Sequence, residues 1–581
     1  MLNMSNMSSF KALGKDVDEA EQAMIEARKT RKRYIKIVLY SIVFVAVVVA
    51  IVVGTTTASR NSGGSSKNGG ETKSLTSTVK AVCDLTLYQD TCYRSLTPLA
   101  NSTGILQPAK LFKLSILVAM NELSKAAYYF SEHEVFVNVT DKMSIEALKN
   151  CRDLMGLAMD HLNSSVSASG DDDQTLIEAI DDLKTWLSTA GTCYETCIDG
   201  LKEAKESLVE TISSHLKNTT EVTSNSLAIV SSISKIARRL LLSSSEDGES
   251  HGEPKWIRSR DRKLIESWDL RKKAHIVVAQ DGSGRFKTIG EALKAVPDNS
   301  KKRTVIYVKK GIYYENVRVE KSKWNVVMVG DGMTATIVSG SRNFVDGTPT
   351  FSTATFAVFG KGFIGRDIGF RNTAGAIKHQ AVALMASADM VVFYRCRMDA
   401  FQDTLYAHSN RQFYRECDIY GTVDFIFGNS AVVFQNCNIL PRVPMSGQKN
   451  TITAQGKVDP NQSTGIAVQN CTIWPFGNLS SVQTFLGRPW KNYSTTIYMN
   501  NYMANFIDPK GWMPWVGNSA PSTIFYSEFQ NFGPGSSTRN RVQWKGLRSI
   551  SNKEANRFTV QSFLNGTKWI SNAGVPYKSG L

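Results

Sequence analysis

Three hydrophobic patterns follow one another along the chain, and each predicts a different kind of element. Ile37 to Val53 is apolar apart from Tyr40 and Ser41, with no charge between Lys36 and Arg60; a run of that length predicts a membrane-spanning helix over 37–58. Between Thr76 and Ala237 apolar residues recur at three and four, as in Leu111-Leu114-Ile116-Leu117 and Ile177-Ile180-Leu183-Leu187. That period predicts an antiparallel helical bundle over 76–237. From Ala274 onward the helical period disappears. Short β-rich runs alternate there with Gly and Asn turns: Thr304 to Lys309, Asn325 to Val329, Phe356 to Val358, Val391 to Tyr394, Ala431 to Gln435 and Gly465 to Val468.

Near-repeats decide what those strands build. Phe393-Tyr394-Arg395-Cys396, Phe413-Tyr414-Arg415-Glu416-Cys417 and Val433-Phe434-Gln435-Asn436-Cys437 recur at 21 and 20 residues, and Val468-Gln469-Asn470-Cys471 repeats the motif again. A repeat of that length without helical patterning predicts a right-handed parallel β-helix over 274–570. The fold class is therefore α + β and multidomain, a helical bundle followed by a solenoid. The spacing suits disulfides Cys396–Cys417, across adjacent coils, and Cys437–Cys471.

Between the two domains, Ser243 to Lys273 is polar and predicts an exposed segment open to proteases. With the preceding Arg238-Arg239-Leu240-Leu241 it forms a linker over 238–273, which carries a second basic-aliphatic stretch, Arg262-Lys263-Leu264-Ile265. Residues 59–75, rich in Gly and Ser, predict a flexible tether, and 1–36 a basic tail. Arg28, Lys29, Arg31, Lys32, Arg33 and Lys36 precede the apolar run, so the tail should stay cytoplasmic and the rest should cross as a signal anchor. All nine cysteines lie beyond the run, and so do nine Asn-x-Ser/Thr sequons, which suits a chain whose downstream part is secreted.

Charge separates the two domains. The chain carries +16 overall, but residues 266–581 carry about +17 and residues 71–237 about −8. The halves should attract each other. The positive residues are scattered rather than striped and no nucleic-acid motif accompanies them, so an acidic polymer is the expected partner and nucleic acid is not.

The candidate chemistry sits in the second domain. Asp403 in Gln402-Asp403-Thr404 and Asp424 in Asp424-Phe425-Ile426-Phe427-Gly428 lie 21 residues apart, one coil of such a solenoid, which sets two carboxylates side by side. Neighbouring carboxylates cannot both ionise easily, so one can serve as an acid while the other remains charged. Gln380 and Gln402 offer amide donors, and Arg488 in Gly487-Arg488-Pro489-Trp490 offers a fixed cation beside an aromatic face. No Gly-x-Ser-x-Gly elbow and no His-Glu-x-x-His pair occurs, which argues against a serine esterase or a zinc hydrolase.

Together with Gly311-Ile312-Tyr313-Tyr314-Glu315, these motifs resemble in order and spacing those of the plant pectin methylesterases, over about Ala274 to Ile570. The resemblance implies an aspartyl esterase acting on pectin and leaving methanol, with Asp424 as nucleophile, Asp403 as proton donor and acceptor, and Gln402 as transition-state stabiliser. Thr350, Gln380, Arg488 and Trp490 would bind substrate; no metal and no cofactor is implied. The bundle resembles the inhibitor-like prodomain of the same enzymes, which would hold or silence the enzyme until a protease acts at Arg238-Arg239-Leu240-Leu241 or at Arg262-Lys263. The mature enzyme would reach the cell wall, the anchor holding the chain in a secretory membrane before cleavage. Cys83 and Cys92 are close enough to staple a helical hairpin, and Cys151 must reach Cys193 or Cys197. In the resembling prodomains Cys197 is the pairing residue, which leaves Cys193 as the odd thiol.

Two rival readings have clear discriminators. A β-helical lyase or glycosidase would shorten the polymer, whereas an esterase leaves it intact and releases methanol. A catalytically idle binding protein would be free to lose any member of the constellation.

Overall fold

The computed structural model describes residues 78–103, 107–131, 139–243 and 270–581. The basic tail, the apolar run 37–58, the tether, and Arg262 and Lys263 lie outside the described residues. Among the described residues no helix is long and apolar enough to cross a membrane.

The described part of the first half is built on the helices α1 Gln89–Thr103, α2 Pro108–Ser131, α3 Lys142–Ser169, α4 Asp173–Ala204 and α5 Glu206–Ser243. Their starts follow local chemistry. Asp141 and Asp172 cap α3 and α4, their carboxylates accepting from the backbone N–H of Ser144 and Thr175, which satisfies donors that a helix start leaves unpaired. A three-residue link between α3 and α4 returns the chain antiparallel. Cys83–Cys92 staples the N-terminal segment and Cys151–Cys197 ties α3 to α4, leaving Cys193 free and buried. One boundary differs from expectation. Helix α5 continues past Ala237 to Ser243, so Arg238-Arg239-Leu240-Leu241 belongs to the last turns of a helix rather than to the start of the linker.

The second half winds through three parallel sheets of ten, eight and seven strands. One coil runs Val391–Tyr394 in the first sheet, Arg397–Asp399 in the second and Leu405–Ala407 in the third, then enters the next coil at Arg411–Arg415. In the middle and later coils the corner after a first-sheet strand takes a left-handed residue. Arg395, Glu416, Asn436, Asn470 and Asn500 supply it, with φ between 51° and 56°. Asn tolerates that conformation because its short side chain bonds locally, whereas Arg and Glu adopt it at a cost of about 1 kcal/mol or more, which coil stacking must offset.

In-register pairing stacks like on like inside the coils. Phe393, Tyr414 and Phe434 are register partners, and their rings stack at 5.2 and 4.8 Å, close to the strand spacing of a sheet. This core is drawn from the solenoid alone. A second cluster seals the outer face of the first sheet under Val560, Leu564, Trp569 and Ile570. The solenoid therefore owns a complete hydrophobic interior, independent of the bundle.

The expected bonds Cys396–Cys417 and Cys437–Cys471 are not formed; all four are buried free thiols. They occupy equivalent positions of four successive coils, each directly before a second-sheet strand whose register is Arg397↔Asp418↔Asn438↔Thr472. Side chains stacked in a parallel ladder keep their Cβ atoms near the ~4.8 Å strand spacing, whereas a disulfide needs about 3.8 Å. Even spacing in sequence produced a ladder of thiols.

Candidate active site

Asp403 and Asp424 sit on the connections from the second sheet to the third in adjacent coils. Leu405 pairs with Ile426, which makes the two acids equivalent positions, and the Asp403 N–H donates to the Val423 carbonyl at 3.0 Å. Both have left-handed backbone, φ 61° and 50°. Such conformations cost of order 1 kcal/mol or more and persist where surrounding structure enforces them, often at functional sites. Both side chains are nearly closed off, with relative exposures of 8% and 5%.

Their partners differ. Arg488 grips Asp424 at both oxygens, Nε donating to Oδ1 at 2.9 Å and Nη2 to Oδ2 at 2.6 Å, while the Thr451 hydroxyl donates to Oδ1 at 2.6 Å. A bidentate guanidinium fixes a carboxylate as an oriented anion. Among the described residues no cation pairs with Asp403. Burial, reinforced by the negative charge of Asp424 and of Glu203 and opposed by Arg488, pushes its carboxyl well above the usual range. One carboxyl is clamped by a guanidinium, whereas burial favours the protonated form of its neighbour.

Gln380 and Gln402 flank this pair on successive coils; the Gln402 carbonyl accepts from Ala381 N–H and the Gln380 carbonyl from Phe344 N–H. Trp490 lies 6.1 Å from Phe427 and 6.5 Å from Trp515, and Arg488 stacks over Trp515 at 4.3 Å. The Trp490 ring rests on Gly456, where a Cβ would lie 2.9 Å from it. Tyr406 and Phe427 stack on each other at 4.1 Å on the third sheet's outer face, whereas Phe425 is core. His408 is a supporting residue, buried between the Ser387 hydroxyl and the Thr196 hydroxyl, each at 2.9 Å. His379 closes the short 3₁₀ turn Ala376–Lys378.

The acidic bundle lies across this face. Tyr406, Phe427, Met385, Ala357 and Ala454 of the third sheet join the bundle's own hydrophobic cluster. Among the described residues five ion pairs bridge the halves: Arg318–Asp153 at 3.3 Å, Lys321–Asp160 at 2.6 Å, Arg411–Asp182 at 2.8 Å, and Lys491 with Glu195 at 2.5 Å and Asp199 at 2.7 Å. The opposite charges read from the sequence meet here. Thr350 does not face open cleft, because its backbone N–H donates to the Glu203 carboxyl at 2.8 Å. Burial pushes Glu203 up to about 7 against that hydrogen bond, with Asp199 adding to the rise.

Sequence reasoning missed Lys491, Thr451 and Trp515, and the acids of α4. Two signals were present. Lys491 directly follows Trp490, and Glu195, Asp199 and Glu203 recur every four residues, the spacing that places side chains on one helical face.

The family described as Pectinesterase matches residues 275–567, and the family described as Plant invertase/pectin methylesterase inhibitor matches 77–229. Pectinesterase/pectinesterase inhibitor 24 of Arabidopsis thaliana is 52% identical over 571 residues, covering 97% of this chain and 99% of its own. Pectinesterase 3 of Phaseolus vulgaris is 48% identical over 594 residues, covering all of both chains. Among solved structures, the pectin methylesterase from carrot is 52% identical with a TM-score of 0.52, and covers 53% of this chain and 98% of its own.

Proposed function

The chain belongs to the pectinesterase family, a pectin methylesterase preceded by an inhibitor-like domain, and from that premise we propose how its residues divide the reaction. The Asp424 carboxylate attacks the carboxymethyl carbon of a galacturonate unit. The side-chain amides of Gln402 and Gln380 stabilise the resulting oxyanion; losing one such donor typically costs about 3 kcal/mol of transition-state stabilisation. Protonated Asp403 gives its proton to the departing methoxide, which leaves as methanol, and an acyl anhydride to Asp424 remains. Asp403, now a carboxylate, takes a proton from the water that attacks the anhydride, which restores Asp424 and frees the acid. The observation that carries this reading is the pairing of an arginine-clamped carboxylate with a buried carboxyl that has no such clamp on the adjacent coil. Thr350 and Trp490 would contact the polymer once the face is uncovered.

The bundle silences the enzyme by occupying the face the polymer needs. Release follows cleavage at Arg238-Arg239-Leu240-Leu241 or Arg262-Lys263 by a processing protease. For the first site the end of α5 must unwind, because proteases bind extended chain. Secretion to the cell wall follows the family, and the apolar segment 37–58 would anchor the chain on the way. The decisive experiment is methanol release from methylated pectin by the purified segment 266–581, with Asp424→Ala as control. Absence of methanol, or equal release by the control, overturns the proposal.

A further inference from the structure

A cavity of about 540 Å³ opens between the corner loops 475–483 and 505–509 of two successive coils, and none of the candidate catalytic residues lines it. Its volume lies within the ~300–1,000 Å³ of sites that take small ligands. Apolar Leu479, Phe506 and Pro509 line it together with polar Gln483, Asn505 and Asp508. A sugar ring asks for that mixture, because its C–H faces need apolar contact and its hydroxyl and acetamido groups need polar partners.

One residue of the wall is Asn478, the acceptor of the sequon Asn478-Leu479-Ser480. Leu479 is buried and anchors the loop, and the Asn478 side-chain oxygen accepts from the Ser480 N–H at 3.0 Å. Among the described residues the Asn478 Nδ2 donates to no protein group. Two other sequons of the solenoid are placed differently. The Asn470 Nδ2 donates to Asn436 Oδ1 at 2.9 Å, and in Asn461-Gln462-Ser463 the Ser463 N–H donates to the Ser188 hydroxyl of the bundle at 3.1 Å.

The walls of the cavity also carry the catalytic clamp. Loop 475–483 runs into strand Thr484–Gly487, which ends at Arg488. Loop 505–509 holds the start of that strand: Asp508 N–H donates to the Thr484 carbonyl at 2.8 Å, and Gln483 Nε2 donates to Asp508 Oδ2 at 2.9 Å. Whatever fills the space between the two loops braces the strand that delivers Arg488 to Asp424.

We propose that Asn478 is N-glycosylated and that the first N-acetylglucosamine of the glycan seats in this cavity, joining the two corner loops. This rests on the secretion reading above, which carries the chain past the transferase. In the transfer Asn478 Nδ2 bonds to C1 of the sugar and loses one proton, while C1 breaks from the diphosphate of a lipid-linked oligosaccharide, which leaves as the lipid diphosphate. The product amide keeps one N–H, and the tether between Asn478 and the sugar holds the ring at the cavity it would otherwise have to find by diffusion.

The test uses the full chain produced in plant cells, with Ser480→Ala, which removes the sequon but keeps Asn478, and Ser480→Thr, which keeps the sequon. Glycopeptide mass spectrometry should find Asn478 occupied in the parent and in Ser480→Thr and bare in Ser480→Ala. Hydrogen exchange should be about fivefold faster at 484–487 and 505–509 in Ser480→Ala than in the parent, with Ser480→Thr matching the parent and the rest of the solenoid unchanged. Trimming the parent's glycan to its first sugar should leave the slow exchange in place. A bare Asn478 in a parent chain that carries glycans elsewhere overturns the inference alone. Occupied Asn478 with exchange at 505–509 equal to that of Ser480→Ala, or protection lost on trimming, shows a glycan directed to solvent and overturns the seat. Absence of glycan from every sequon removes the secretion reading, and this inference with it.

Discussion

Replacing Glu203 by Gln should free the seating of the bundle from one pH-dependent contribution. Glu203 is partly buried against the Thr350 N–H, and its pKa in the docked chain is raised from 4.5 to about 7. A carboxyl whose pKa is higher when docked binds its proton more tightly in that state. Its contribution to docking is therefore fully present below about 4.5, falls as pH rises towards 7, and stays lost above that. The shift of roughly 2.5 units sets a ceiling of about 3 kcal/mol at 1.36 kcal/mol per unit, and residual solvent contact lowers it to ~1.5 kcal/mol. That is about a tenfold weakening.

Other groups at the interface titrate in the opposite sense. Burial lowers His161 to about 4 and His408 to about 3, so docking loses their neutral-state contribution as pH falls below 6.5. The Glu203→Gln comparison cancels them, because both proteins carry the same histidines. The assay is the dissociation constant between separately produced 71–243 and 266–581, measured calorimetrically from pH 4.5 to 8. The ratio of the parent's constant to that of the Gln variant should rise about tenfold across that range. Parallel curves would refute the argument that burial of this carboxyl weakens docking as pH rises.

Asp424→Asn should abolish turnover without unfolding the solenoid, since the amide keeps the shape and loses the nucleophilic charge; methanol release near the parent rate would contradict it. Asp403→Asn should cost about a hundredfold to ten-thousandfold through lost proton transfer, and in the parent the methanol-release step should slow as pH rises through the elevated Asp403 pKa, a limb that the pH profile of single-turnover rates would reveal. Alkylation of the unreduced, denatured chain, read by peptide mass, should label Cys193, Cys396, Cys417, Cys437 and Cys471 and spare Cys83, Cys92, Cys151 and Cys197; unlabelled Cys396 and Cys417 would restore the disulfide the spacing suggested. Replacing Arg238, Arg239, Arg262 and Lys263 together by Ala should leave a longer, latent protein on an immunoblot, and a fragment of normal size would exclude both processing sites.

The sequence by itself determined whatever repeats locally. Short apolar runs between turn residues at 20 to 21 residues specify a coil, because in-register stacking buries one side of every strand and a slip of one residue would turn it outward. The same periodicity set Asp403 beside Asp424. The three-and-four period marked the helices of the bundle. Only the tertiary structure decided what depends on the distance and direction of side chains far apart in sequence. It left Cys396, Cys417, Cys437 and Cys471 unpaired, since equal spacing along the chain fixes their stacking and not the closer approach of their sulfurs. It also placed Glu195 and Asp199 on Lys491, and Glu203 on Thr350, across about 150 to 300 residues of chain. Overall charge foretold that the halves attract, but net charge is a sum without direction. The faces that meet were chosen by the fit of α4's acids and the bundle's apolar surface to one side of the solenoid, and that fit exists only once both halves have folded.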